Sequence, residues 1–115
     1  MPKPPPPMPA AVRRSLKKLG EDIGAARRRR RLPQDVVAAR ALTTRQTVSR
    51  IEKGDARVAF GTWATVLFVL GLLDRLTDLA APEHDELGLA LDAARLPERV
   101  RVPSPARRRA AEDKL

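Results

Sequence analysis

Cysteine is absent from this chain of 115 residues, and histidine occurs only once, as His84. Without cysteine the chain can form no disulfide, no thiolate zinc site and no thiol nucleophile, and a reducing compartment is expected. His84 lies in the acidic stretch APEHDE, where Asp85 and Glu86 lack a third partner at metal-ligand spacing. There is also no Gly-rich phosphate loop, so an enzyme is not expected, nor a metal or other cofactor.

Long apolar runs are missing as well. The most apolar stretch, VLFVLGLL at residues 66–73, is far shorter than the ~20 residues that span a bilayer. The first residues, MPKPPPPMPAAVRR, contain no continuous apolar segment of the kind that signal peptides carry. We therefore expect a soluble, cytoplasmic protein.

Aromatic residues are few, namely Phe60, Trp63 and Phe68, although 43% of the residues are hydrophobic. Leucine, valine and alanine supply most of that fraction, which favours an all-helical domain. A chain of this length usually forms one domain, and its proline-rich and arginine-rich ends leave fewer residues for a core. One small all-α domain with tails is the expectation.

The net charge of +9 is segregated along the chain. Residues 1–60 contain 15 Lys and Arg against 5 Asp and Glu, whereas residues 61–115 contain 8 against 9. Solubility does not require one half of a chain to hold the positive charge. The basic half predicts a polyanionic partner, either nucleic acid or an anionic membrane.

Composition and periodicity divide the chain into four segments. Residues 1–14 are rich in proline and are predicted to be disordered, as is the basic tail at 103–115. Apolar spacing and helix-end residues predict five helices, at 15–30, 34–41, 45–53, 60–70 and 72–80, within a domain at 15–80. Residues 81–102 form a C-terminal extension. The large apolar residues at 66–79 exceed what so small a core can bury, which favours a homodimer with a two-fold interface.

The segment TTRQTVSRIEKG, residues 43–54, contains only two large apolar residues, Val48 and Ile51. These two residues are three apart and are predicted to face the core. Polar side chains are therefore left on the other sides of a helix that is narrow enough for the major groove of DNA. Arginine there can pair with guanine and glutamine with adenine. The candidate base-reading residues are Arg45, Gln46, Thr47, Ser49 and Arg50, with most weight on the first two.

Together with Arg27, Gln34, Ala38 and Leu70, this segment resembles the Xre or phage-repressor-type helix-turn-helix family over residues 19–79. The resemblance implies a five-helix, lambda-repressor-like DNA-binding domain. It also implies DNA phosphate contacts from Gln34, Thr44, Lys53 and Arg57, although Gln34 and Thr44 could instead cap helices. By the same resemblance, Glu52 pairs with Arg27.

Two positions depart from the family pattern. Leu42 stands where the turn before the recognition helix usually has glycine; a left-handed leucine costs about 1 kcal/mol, unless the turn is remodelled. Pro33 stands where serine or threonine usually caps the second helix. Neither departure touches the base-reading residues.

Residues 84–101, HDELGLALDAARLPERVR, resemble the end of HipB-type regulators, the antitoxin partners of HipA-like kinases. That resemblance implies a dimeric repressor that binds a palindromic operator, regulates its own operon and holds a kinase toxin. Two alternatives stay open. One is a stand-alone Xre-type regulator, and the other is an adaptor that uses residues 1–31 and 106–109 to bind RNA or membrane without sequence preference.

Overall fold

The computed structural model describes residues 7–99, which form six α-helices and one short 3-10 helix without any strand. The all-α class predicted from the sequence is confirmed. No helix within residues 7–99 combines the length and the apolar character needed to cross a membrane. The helices are α1 (Ala10–Arg29), α2 (Gln34–Arg40), α3 (Arg45–Glu52), α4 (Phe60–Val69), α5 (Leu73–Thr77) and α6 (Glu86–Arg99), and the 3-10 helix is Pro82–His84.

Helix α1 begins at Ala10, so the predicted start at residue 15 was wrong. The Pro9 carbonyl accepts from the backbone N–H groups of Val12 and Arg13, at 3.0 and 3.2 Å. The Arg13 guanidinium also donates to the Met8 carbonyl at 2.7 Å. Residues 10–14, which were assigned to the proline-rich lead-in, therefore belong to the helix. The rest of the predicted tails at 1–6 and 103–115 lies outside the described residues.

The first four helices end in the same way. The residue after each helix cap has positive φ, and the next N–H bonds to a carbonyl five residues back, which is the Schellman arrangement. Glycine adopts this conformation at little cost, whereas other residues are strained in it. The four residues with positive φ are Arg31, Leu42, Gly54 and Gly71, at 53°, 55°, 78° and 77°, and the four N···O distances are 3.2, 2.9, 3.0 and 2.8 Å.

Helices α1 to α4 enclose the hydrophobic core, and each contributes apolar residues at helical spacing. Ile23 comes from α1, Val37 from α2, Val48 and Ile51 from α3, and Val66 from α4, and all five are almost completely buried. Trp63 and Leu67 extend the same cluster along α4. Because α3 contributes its only two large apolar side chains to this core, its orientation is fixed by burial.

Helices α1 and α3 approach each other closely at two glycines. A Cβ atom on Gly20 would clash with the Ile51 carbonyl oxygen and lie 2.8 Å from the Gly54 nitrogen. A Cβ atom on Gly54 would lie 2.6 Å from the Cα of Lys17. Both contacts are with backbone, which cannot move aside as a flexible side chain can. Small residues at these positions therefore determine how near α3 lies to α1.

The chain separates into two compact units, the first ending at Asp78 and the second beginning at Leu79. Within the second unit, the Asp85 carboxylate accepts from the Gly88 N–H at 3.0 Å and so caps the start of α6. Asp85 belongs to the acidic stretch around His84, and the helix that it caps was not predicted from the sequence. Leu87, Leu89 and Leu91 of α6 are exposed.

Candidate nucleic-acid interface

Helices α2 and α3 are joined by a tight turn at residues 41–44. Leu42 keeps the left-handed conformation that glycine usually supplies, so the alternative of a remodelled turn was wrong. The side chain of Leu42 is 94% exposed, so its burial does not offset the strain of its backbone. Thr44 then caps α3, because its hydroxyl accepts from the Thr47 N–H at 3.1 Å. The two helices are thus set at a fixed angle by backbone geometry.

Helix α3 presents two different sides. Val48 and Ile51 are fully buried and hold the helix against the core. Arg45, Gln46 and Arg50 are exposed. An amphipathic helix of eight residues with cationic and amide groups on its outer side matches the donors and acceptors of base edges in a major groove.

The remaining two candidate base-reading residues, Thr47 and Ser49, are half-buried at the flanks of α3. The hydroxyl of Thr47 lies 3.0 Å from the hydroxyl of Thr44, so the two side chains share a hydrogen bond. The Thr47 hydroxyl can make further hydrogen bonds, so both its hydroxyl and its methyl group are chemically suited to a base edge.

Glu52, the last residue of α3, belongs to a hydrogen-bonding network that links α1, α2 and α3. Its two carboxylate oxygens accept from Nε and Nη2 of Arg27, at 2.7 and 3.0 Å. The Arg27 and Glu52 side chains are only 13% and 11% exposed, and hydrogen bonding to Glu52 raises the pKa of Arg27 above its ordinary value. Arg27 also donates to the Leu32 carbonyl at 3.0 Å. The ion pair implied by the family resemblance is present and fastens the end of α3 to α1.

Gln34, the first residue of α2, belongs to the same network. Its amide nitrogen donates to a carboxylate oxygen of Glu52 at 3.2 Å. Helix α2 has no side-chain cap, so the capping role considered for Gln34 was wrong. Gln34 also lines an open cleft with Arg45, and a phosphate contact from Gln34 remains a prediction.

The loop after α3 contains the other two candidate phosphate contacts. Lys53 is exposed at the end of the helix. Arg57 is held by Asp55, which accepts from its backbone N–H at 2.9 Å and from its guanidinium at 3.0 Å. The sequence analysis did not identify Asp55, although a carboxylate two residues before an arginine and directly after a helix-ending glycine is a usable signal for such a turn.

The structure places five of the nine candidate residues on two open clefts. Arg45 and Gln34 line one of them, and Thr47, Arg50 and Arg57 line the other. Within residues 7–99 no group of acidic, histidine or cysteine side chains could hold a metal ion. The clefts and the exposed side of α3 form a cationic, hydrogen-bonding surface suited to a polyanion.

Comparison with known proteins agrees with this geometry. A family model described as a helix-turn-helix domain matches residues 18–87, more than half of the chain. No curated protein and no solved structure is similar enough to count as a match. The matched range includes α2, α3 and the turn between them, which is the part that resembles Xre-type regulators. The chain therefore belongs to the helix-turn-helix domain family.

Proposed function

We propose that the protein is a sequence-specific DNA-binding transcriptional repressor that inserts α3 into the major groove. The observation that carries this proposal is the division of α3 between buried Val48 and Ile51 and exposed Arg45 and Gln46. Burial of one side fixes the helix, so its backbone needs no further ordering on binding and only the exposed side chains must be immobilised.

Roles within the interface follow from the chemistry of each group. Arg45 can donate two parallel hydrogen bonds to guanine, and Gln46 can bond adenine through both amide atoms. Gln34, Thr44, Lys53 and Arg57 then contact phosphates, and such contacts fix the position of the helix without reading the sequence. This division predicts that a change of DNA sequence acts directly on the contacts of Arg45 and Gln46, and on the phosphate contacts only through the way α3 is seated.

The repressor is further proposed to act as a homodimer on a palindromic operator. Phe68 of α4 is 64% exposed, and α5 contains no fully buried residue. Apolar surface of this kind is suited to pairing with a second copy across a two-fold axis. Two α3 helices about one DNA turn apart would then read two half-sites. Repression would follow from covering a promoter, without any catalysis, in the cytoplasm.

The finer proposal is that this repressor is an antitoxin-like regulator of its own operon that also holds a HipA-like kinase. Its support is the resemblance of residues 84–101 to HipB-type regulators and the exposed leucines of α6. A kinase gene beside this one, and co-purification of the two proteins, are expected. If there is no such neighbour and no stable complex forms, the stand-alone regulator is the better description.

A binding titration tests the repressor against the nonspecific adaptor. Fluorescence anisotropy at fixed salt should give at least ~10³-fold tighter binding to the protein's own upstream region than to shuffled DNA. Arg45→Ala or Gln46→Ala should cost about 1–3 kcal/mol on the true site and little on shuffled DNA. Arg95→Ala is the matched control, because Arg95 is an exposed arginine on α6, a helix to which no DNA or dimer contact is assigned. Equal loss on both DNAs would reject base reading.

A further inference from the structure

Asp55 makes an unusually complete set of contacts to one arginine. One carboxylate oxygen accepts from both the backbone N–H and Nε of Arg57, at 2.9 and 3.0 Å. The other accepts from Nη2 at 3.0 Å. The Asp55 side chain is 14% exposed, whereas that of Arg57 is 44% exposed. The carboxylate is therefore the inner, fixed partner and the guanidinium the outer one.

The surroundings of Asp55 show that it is well ionised. The hydrogen bonds from Arg57 hold the pKa of its carboxyl below its ordinary value, with a smaller contribution from the positive charge of Arg50. Both arginines line the same open cleft beside α3. An anion this close to the proposed DNA-binding surface repels phosphates. A positioning role would explain why a carboxylate is nevertheless present there.

We propose that Asp55 is a positioning residue that raises sequence discrimination by acting through Arg57. It fixes the guanidinium in one orientation, so that Arg57 meets a phosphate only when α3 is seated in its correct register. It also cancels the charge of Arg57, so that random DNA gains little from that arginine. The inference rests on the proposed function. In it, Asp55 raises the ratio between the affinities for specific and for random DNA.

The expected size of the charge effect follows from counterion release. For duplex DNA, log K falls by ~0.9 per decade of salt for each phosphate that is neutralised. Release of Arg57 from its carboxylate should therefore steepen the salt slope by up to ~0.9. Between 1 M and 0.1 M salt, the nonspecific affinity of Asp55→Asn should then rise by up to about 8-fold more than that of the wild type. The orientation effect is separate from this one, because it acts only on the specific complex.

The test is a double-mutant cycle of Asp55→Asn, Arg57→Ala and the combined variant in the full-length protein. The measured quantity is the ratio of affinities for the upstream region and for shuffled DNA at one salt concentration. A simple charge change shifts both affinities alike and leaves the ratio unchanged. We expect Asp55→Asn to lower the ratio roughly 5- to 10-fold, which lies within the range of one typical net hydrogen bond. When Arg57 is already replaced by alanine, adding Asp55→Asn should leave the ratio unchanged.

Asp92→Asn is the control for charge, because it removes one exposed carboxylate from α6, a helix to which no DNA or dimer contact is assigned. It should leave both the ratio and the salt slope unchanged. If Asp55→Asn fails to fold, as judged by its circular dichroism, Arg57→Lys replaces it. Lysine keeps the positive charge but cannot make the two-pronged contact, so it should also lower the ratio.

An unchanged ratio, or an equal drop in both backgrounds, would overturn the role of Asp55. Failure of the proposed function would look different, because the wild-type protein itself would then bind both DNAs equally. The salt slope on shuffled DNA separates the two further. It should steepen in Asp55→Asn whether or not the wild type discriminates, and an unchanged slope would overturn the charge-cancelling part of the inference.

Discussion

Replacing Gly54 by alanine should be more damaging than replacing Gly71, although both glycines end a helix in the same conformation. Their φ angles are 78° and 77°, so the left-handed strain of an alanine, about 1–2 kcal/mol, should be nearly equal at the two sites. The loss of unfolded-state entropy on changing glycine to alanine is also common to both. The difference between the two variants therefore isolates what surrounds each Cβ.

Those surroundings differ greatly. At Gly71 an added Cβ would meet nothing within 4 Å. At Gly54 it would lie 2.6 Å from the Cα and 2.8 Å from the nitrogen of Lys17. Since these are backbone atoms of α1, relief requires α1 and α3 to move apart, and overpacking of this kind costs roughly 1–3 kcal/mol. Gly54→Ala should be less stable than Gly71→Ala by that amount.

Urea unfolding of the full-length chain at 25 °C, followed by circular dichroism, measures both free energies of unfolding by linear extrapolation. Because Gly54 is also where α1 meets the end of α3, Gly54→Ala should weaken binding to the upstream region more than Gly71→Ala does. Equal destabilisation by the two substitutions would refute the idea that close contact with α1 fixes the position of α3.

Three further outcomes are expected. Leu42→Gly should stabilise the protein by up to about 1 kcal/mol in urea unfolding, because relief of the left-handed leucine, which is 94% exposed, exceeds the unfolded-state entropy that glycine adds; a loss of stability would contradict this. Glu52→Gln should destabilise by up to about 3 kcal/mol, because Arg27 would keep its charge in a largely buried place; an unchanged urea midpoint would count against it. The folded-state pKa of Asp55 is lowered, so its pairing contributes stability above the ordinary value of 3.8 and loses it as the pH falls through the folded value. The stability gap between wild type and Asp55→Asn should therefore shrink below pH 3.8, and a gap independent of pH would argue against the pairing.

Much of the helical domain could be predicted from the sequence, because its signals are local. The spacing of Val48 and Ile51 gave the buried side of α3, and Thr44 and Gly54 marked its two ends. Burial of apolar residues and the geometry of helix caps depend on neighbours a few positions apart. The family resemblance added the pairing of Arg27 with Glu52, which are 25 positions apart.

What could not be predicted depends on tertiary contacts or on weak local signals. Gly20 occurs within a helix, where glycine is usually unfavourable, and only the position of α3 explains it. The capping role of Asp85 was not predicted, because it depends on the position of the backbone in the next turn. The donation from Gln34 to Glu52 likewise depends on how α2 and α3 meet.

Selection of binding sites from a random duplex library shows whether the exposed side of α3 reads bases. The wild-type protein should enrich a motif with two related half-sites about one DNA turn apart. Arg45→Ala should lose preference at particular base pairs while keeping the rest of the motif. Recovery of unrelated sequences, or the same motif from wild type and Arg45→Ala, would contradict base reading by α3.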